Sequence, residues 1–289
     1  MAAARGILTS RDEAIITMVF SYDGVAIHHI QERFFPTSGA RSACYTRIGT
    51  LVKAGYLTTA RIPSQTGLGT GKAFLTVAAR ARPLVAKLLN VSPSTLSRGT
   101  RAHAPAIIEH HLSICDVRLS FERAVLKSPA FTHVEWTNER ILRTRPMVAS
   151  DEERGEPIAL IPDGLLRLTR RDGHTQAFFV EVDRGTITEH KRLVKRLRGY
   201  LLHAKDEPTP VLFTVPTTSR QTLLATLAER EAAKLAADPT LFFLTEQSRV
   251  NPDSVLTAPI WQVVSVAAPL TLAPDEPVHP FPAQEGAGR

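Results

Sequence analysis

Cysteine is nearly missing from this 289-residue sequence: only Cys44 and Cys115 occur, far apart and both in helix-like stretches. That excludes a disulfide framework and a cysteine-based zinc site, and makes a reducing cytoplasm the expected compartment. Long hydrophobic runs are missing as well. No apolar stretch approaches the roughly 18 residues that cross a bilayer, so no membrane partner is expected. The opening MAAARGILTSRDE reaches acidic residues before any apolar core of signal-peptide length. The 10 histidines are scattered and never form His-x-x-x-His on one helix face, which argues against a histidine metal site. No Ser-His-Asp or Cys-His set can be assigned, and no aromatic platform for stacking single-stranded RNA is evident.

What is present is an ordinary globular composition, 43% apolar and 22% charged, in a chain long enough for two cores. The charge is unevenly distributed. Residues 1–105 hold 13 Lys/Arg against 4 Asp/Glu, whereas residues 106–289 hold 22 against 24. A net charge of +7 is therefore carried entirely by the first third. Polyanion binding is driven by counterion release, so a segregated basic domain points to nucleic acid.

The first third reads as helices followed by a hairpin. Ser10 and Glu13 fit a capping box ahead of Ile15, Ile16, Val19 and Phe20, giving a helix near 11–21. A second helix spans about 25–34, and a third spans about 39–54 and stops at Gly55. Two β-prone segments, 56–62 and 72–77, flank a glycine-rich loop, and a helix near Leu84–Leu89 closes the unit. That order is the order of a winged helix-turn-helix. On the third helix Cys44, Ile48, Leu51 and Val52 form the inner stripe. Arg41, Ser42, Tyr45 and Thr46 lie opposite, flanked by Arg47 and Lys53. These residue types suit base edges and phosphates in the major groove of double-stranded DNA. Arg61 and Lys72, on the wing strands, are placed to grip the adjoining backbone. The wing loop is not a phosphate loop, because that pattern needs glycine at 66 and Ser or Thr at 73, where Thr66 and Ala73 stand.

The domain expectation is a winged-helix domain at 1–90, a linker at 91–105, an α/β domain at 106–268 and a proline-rich, disordered tail at 269–289. In the α/β part, a helix at 107–126 precedes strands at 132–142, 158–168 and 175–183. A helix at 187–204, a strand at 210–215, a helix at 220–237 and strands at 241–244 and 260–266 complete it. Helix, three strands, helix and strand predict a mixed sheet, an α+β arrangement. Asp163, in Ile-Pro-Asp-Gly, and Glu181 and Asp183, in Val-Glu-Val-Asp-Arg-Gly-Thr, stand on or beside apolar strands, where charge needs a partner. Alternation puts Glu181 and Asp183 on one face, and a hairpin would add Asp163. Three such carboxylates suit Mg²⁺ or Mn²⁺.

Pro-Asp on one strand and Glu-x-x on the next, followed by a helix, resembles the restriction-endonuclease-like PD-(D/E)xK core. The union of a winged helix with Pro-Asp-Gly and Glu-Val-Asp-Arg-Gly-Thr is similar to the replication-relaxation protein family, over most of residues 8–245. The resemblance implies Asp163 and Glu181 as metal-binding acids. Asp183 stands where that pattern has its lysine, and Lys191 or Lys195 on the next helix would have to supply it. Lys191, Lys195 and Arg198 are expected to project away from the apolar face of that helix, available to DNA phosphates. Glu122 or Glu109 falls where such cores carry an extra acid. The resemblance implies a role in replication, relaxation or transfer of plasmid or mobile-element DNA. A homodimer and replication or transfer proteins would be partners of such a role. Two readings stay open: metal-dependent nicking, or a non-enzymatic regulator whose second domain is a degenerate nuclease fold used for dimerisation or partner contacts.

Overall fold

A computed structural model describes residues 8–61, 73–92 and 105–272. The wing loop, Lys72, most of the expected linker and nearly all of the proline-rich tail lie outside the described residues. The chain divides into two compact units, Met1–Leu119 and Ser120–Arg289.

In the first unit the order is α1 (Ser10–Ser21), β1 (Val25–Ala26), α2 (Ile27–Phe34), α3 (Arg41–Lys53), β2 (Leu57–Arg61), β3 (Ala73–Val77) and α4 (Arg82–Leu88). The strands form an antiparallel sheet in the order β1-β3-β2. The capping box at α1 falls one residue earlier than the sequence suggests. Thr9 is the N-cap, and its side chain and backbone pair with Asp12, not Glu13. Asp12 wins because it is buried and also meets Arg47, whereas Glu13 stays outside the core. Ile15, Ile16, Val19, Ile30, Cys44, Ile48, Leu51, Leu57, Leu75 and Val85 make one core. Gly24, at φ 115°, turns the chain from α1 into β1.

The long helix α5 (Pro105–Lys127) begins at the end of the expected linker. Its first part belongs to the first unit, with Ile108 and Leu112 packed on Ala26 and Phe74, and Cys115 and Leu119 in the main core. Apolar periodicity revealed this helix but not the core its first turns would join.

The second unit contains β4 (Phe131–Asn138), α6 (Glu139–Leu142), β5 (Met147–Asp151), β6 (Glu156–Leu160), β7 (Gly164–Arg170), β8 (Thr175–Val182), α7 (His190–His203), β9 (Val211–Val215), α8 (Thr218–Leu235), β10 (Phe242–Glu246) and β11 (Gln262–Val263). Six strands form a mixed sheet in the order β11-β10-β9-β8-β7-β4, so the fold is α+β as expected. Strands β8, β9 and β10 run parallel, and α7 and α8 supply the crossovers that parallel neighbours require. Leu193, Leu197 and Leu201 of α7 and Leu224, Leu227 and Ala228 of α8 pack on Phe179, Phe213 and Leu244 of the sheet.

Two expected strands break. The 158–168 segment is two strands separated by Ile161-Pro162-Asp163, with β6 pairing instead with β5 in a separate hairpin. Proline lacks the N–H a continuous ladder would need. The 132–142 strand ends at Asn138, where α6 begins. Gly164 is fixed by packing, because a Cβ there would fall inside the Trp136 indole. Among the described residues no helix is long and apolar enough to cross a membrane.

Candidate functional site

Helix α3 presents two faces with opposite roles. Cys44, Ile48 and Leu51 are buried. Arg41, Ser42, Tyr45, Thr46 and Lys53 are exposed. Tyr45 is 48% exposed, and the Arg41 guanidinium lies 5.7 Å from its ring centroid. Burial of a phenol ring normally stabilises a fold, so a half-exposed tyrosine beside arginine forms a ready contact surface. Gly49 lies on the same outer stripe with nothing within 4 Å of where a Cβ would stand. Arg61 is exposed on β2, where only Leu57 is buried.

Arg47 behaves differently from its neighbours. Its guanidinium forms two hydrogen bonds with the buried Asp12 carboxylate, joining α3 to α1. Burial would raise the Asp12 carboxyl, but its bonds to Arg47 and Thr9 hold it below the usual carboxylate range. This guanidinium is a structural tie within the unit. Local spacing carries no sign of this tie, since Arg47 falls on the edge of the polar stripe.

Behind α2 lies the one set of three metal-type side chains, among the described residues, whose ligand atoms fall within 4.8 Å of one another: His28, His29 and Asp116. His29 Nε2 is 2.8 Å from Asp116 Oδ1, and His28 Nε2 is 3.0 Å from the same oxygen. The Ala26 N–H donates to His29 Nδ1 at 3.0 Å. That bond leaves the proton of the neutral ring on Nε2, where it donates to Asp116 and blocks the lone pair a metal would need. The geometry is therefore that of a hydrogen-bonded clamp. Burial holds the His29 ring below the usual histidine range, against the pull of Asp116. Burial would lift Asp116, but the bonds from both histidines bring its carboxyl far below the usual range.

In the second unit β7 and β8 do pair, with Gly164 opposite Val180, so Asp163 comes beside β8. Its Oδ2 accepts from the Val182 N–H at 2.8 Å. Glu181 is 1% exposed and accepts from the Tyr200 hydroxyl at 2.6 Å and from Arg196 Nη1 at 3.0 Å, both on α7. Asp183 accepts from Arg220 Nε at 2.6 Å and from the Gly185 N–H at 2.8 Å. The Glu181 carboxylate, followed by Asp163, raises the Arg196 guanidinium above its ordinary range. Burial and Glu181 push the Tyr200 phenol well above its own, so it remains a donor.

Among the described residues the three acids are not a set whose ligand atoms all lie within 4.8 Å of one another. Lys191 and Lys195 stand on α7. Both are exposed, and Lys195 Nζ sits 3.4 Å from Glu156. The cation that enters is Arg196, one position further along the helix, which sequence reasoning missed. Its signal was faint: a basic residue at 196 shares the inward side of α7 with Leu193, Leu197 and Tyr200. Both Glu181 oxygens and both Asp183 oxygens accept hydrogen bonds, with a guanidinium donor on one oxygen of each.

Arg198 also departs from expectation. It is 1% exposed and does not reach solvent. Its guanidinium grips Asp151 at 2.6 and 2.8 Å, bonds Glu153 and lies 3.6 Å from Glu231, tying the β5-β6 hairpin to α7 and α8. Gly199 beside it lets α7 approach β6, where an added Cβ would come 2.7 Å from Leu160.

An α+β chain with a helical, basic N-terminal unit and an acid-bearing mixed sheet is thus the class that fold and site define. The model of the replication-relaxation family matches residues 24–210, and the chain belongs to that family. Membership supports a role connected with replication or relaxation. No curated protein and no solved structure matches.

Proposed function

We propose that the chain binds duplex DNA through its first unit, a winged helix-turn-helix with α3 as the reading helix, in replication or relaxation of plasmid or mobile-element DNA. The observation that carries the reading is the outer face of α3. Arg41, Ser42, Tyr45, Thr46 and Lys53 are exposed directly opposite a buried apolar stripe, in the third of the chain that carries the excess positive charge. Family membership and the helix–helix–hairpin order support it. Arg61, exposed on β2, serves as a backbone contact, and Lys72 is proposed as another.

The second unit serves as a scaffold for dimerisation or partner contacts, without cutting DNA. Its acids are hydrogen-bonded to arginines, a tyrosine and backbone N–H groups, which supports the non-enzymatic reading over metal-dependent nicking.

Fluorescence anisotropy with a labelled duplex tests the first claim. Arg41→Ala with Tyr45→Ala should weaken binding by on the order of tenfold to a hundredfold, with an unchanged melting temperature. Equal affinity for parent and variant at moderate salt would remove α3 from the interface. Supercoiled plasmid incubated with the parent in Mg²⁺ or Mn²⁺ should stay supercoiled. Open circles produced by the parent and lost in Glu181→Gln would restore the nicking alternative.

A further inference from the structure

We propose that the duplex contact extends beyond α3 to the first turn of α1, where Arg11, seated on the Phe35 ring, holds a phosphate of the DNA backbone. The inference rests on the reading of the first unit as a duplex binder, and it names a residue which that reading does not use.

Arg11 and Arg41 differ from the arginines around them. Both are exposed, each lies over an aromatic ring, and among the described residues neither is bonded to a carboxylate or a carbonyl. Arg47, by contrast, is held by Asp12, and Arg80 donates to the Ala54 carbonyl at the end of α3. A guanidinium carries five N–H donors and no acceptor, so Arg11 presents all of its donors to solvent. Its place is set by its neighbours. Phe35 is 6% exposed and belongs to the core of the unit, and the Arg11 guanidinium carbon lies 5.0 Å from its ring centroid. Asp12, next in sequence, is hydrogen-bonded to Arg47, which brings the first turn of α1 against the reading helix. Phe35 also caps the C-terminus of α2, so the ring that seats Arg11 lies where the chain leaves α2 for α3.

The chemistry is that of phosphate recognition. The guanidinium fork matches two phosphate oxygens at once and keeps its charge under any ordinary condition. A side chain already resting on a fixed ring loses less freedom when an anion binds. The acids of the same turn do not compete for it. Asp12 is bonded to Arg47 and Thr9, and Glu13, two residues beyond Arg11, projects from another side of the helix. Phosphate contacts fix register and orientation without reading sequence. Arg11 on α1 and the outer face of α3 thus hold the unit on the duplex at two places, which sets how α3 enters the groove.

The probe is a labelled duplex of mixed sequence, followed by fluorescence anisotropy across a range of NaCl concentrations. Full-length parent, Arg11→Ala, Arg11→Gln, Arg11→Lys and Arg41→Ala are compared, with thermal melting to establish that each is folded. Arg11→Ala and Arg11→Gln should weaken binding on the order of threefold to tenfold at about 0.1 M salt. Both should also lower the slope of log affinity against log salt by about 0.9, the share of one phosphate. The loss should be equal on AT-rich and GC-rich duplexes, because no base edge is involved. Arg11→Lys keeps the charge and should recover the slope. If the alanine variant does not fold, the glutamine and lysine variants decide. Parental affinity and slope in Arg11→Gln, beside a weakened Arg41→Ala, would overturn the inference and leave duplex binding by α3 standing. A loss of affinity in Arg11→Gln with the slope unchanged would also overturn it, since that is the mark of a purely structural role. A parent that binds no duplex would remove the reading of the first unit, and the inference with it.

Discussion

The two units use cationic side chains in opposite ways. On α3 of the first unit Arg41 and Lys53 stand in solvent, with Arg41 resting on a half-exposed tyrosine. On α7 of the second unit Arg198 is buried on Asp151 and Glu153, and Arg196, its side chain 38% exposed, reaches in to Glu181. Both helices read as basic and amphipathic, so the number of positive residues on a helix says little about its surface. What decides is whether a buried acid lies within reach. Arg47 makes the point inside the first unit, because Asp12 draws it out of the outward stripe that its neighbours form.

The contrast can be broken most sharply at Asp151. Asp151→Ala would leave the Arg198 guanidinium buried without its bidentate partner, and urea unfolding should show a loss of about 3–5 kcal/mol in the second unit. A loss under about 1 kcal/mol would mean that Glu153 and Glu231 suffice. Next in size is Arg47→Ala, which strands Asp12 in the core. Part of that guanidinium is open to water, so the expected loss is smaller, about 1–3 kcal/mol. The instructive outcome is the pairing of effects. Arg47→Ala should lower stability with little change in duplex affinity for the folded protein, and Arg41→Ala should do the reverse. The same phenotype for both would erase the distinction between tie and contact.

Acid should act on the first unit through His29 and His111. Burial holds both rings below the usual histidine range, so the unfolded chain takes up protons first as pH falls. Their contribution is complete above the unfolded value of about 6.5 and declines as pH drops below it towards the folded values. Chemical denaturation from pH 8 down to about 5 should show that decline, and His29→Gln should flatten it. A profile flat over that window in the parent would count against the clamp of His29 and Asp116. The smallest effect is expected at Gly49, whose outer face is open. Gly49→Ala should raise stability by about 0.5–1 kcal/mol, as alanine does in helix interiors. If the same variant weakens duplex binding, the α3 face approaches DNA closely at that point. Unchanged affinity would move the contact towards Arg41.

Much of the architecture was legible in the residues. Apolar spacing marked α1, α3, α5, α7 and α8, and the β-prone segments around the glycine-rich loop marked β2 and β3. The hairpin that brings Asp163 beside Glu181 could be anticipated from strand order. Less legible were elements whose existence depends on distant partners. The β5-β6 hairpin lacks a strong pattern of its own, since β6 was masked by the apolar run that continues into β7. The capping residue of α1 was one place off, because Thr9 and Ser10 offer equally good hydroxyls and only the burial of Asp12 separates them.

By itself the sequence determined the concentration of positive charge in the first third and the acids on and beside β7 and β8. These follow from local composition and periodicity, which every window of the chain carries with it. The tertiary structure alone decided which arginines meet acids. Arg47 and Asp12 are 35 residues apart, Arg198 and Asp151 47, and Arg196 and Glu181 15. A buried carboxylate selects its partner by distance and desolvation, and neither quantity exists until the strands and helices have been brought together.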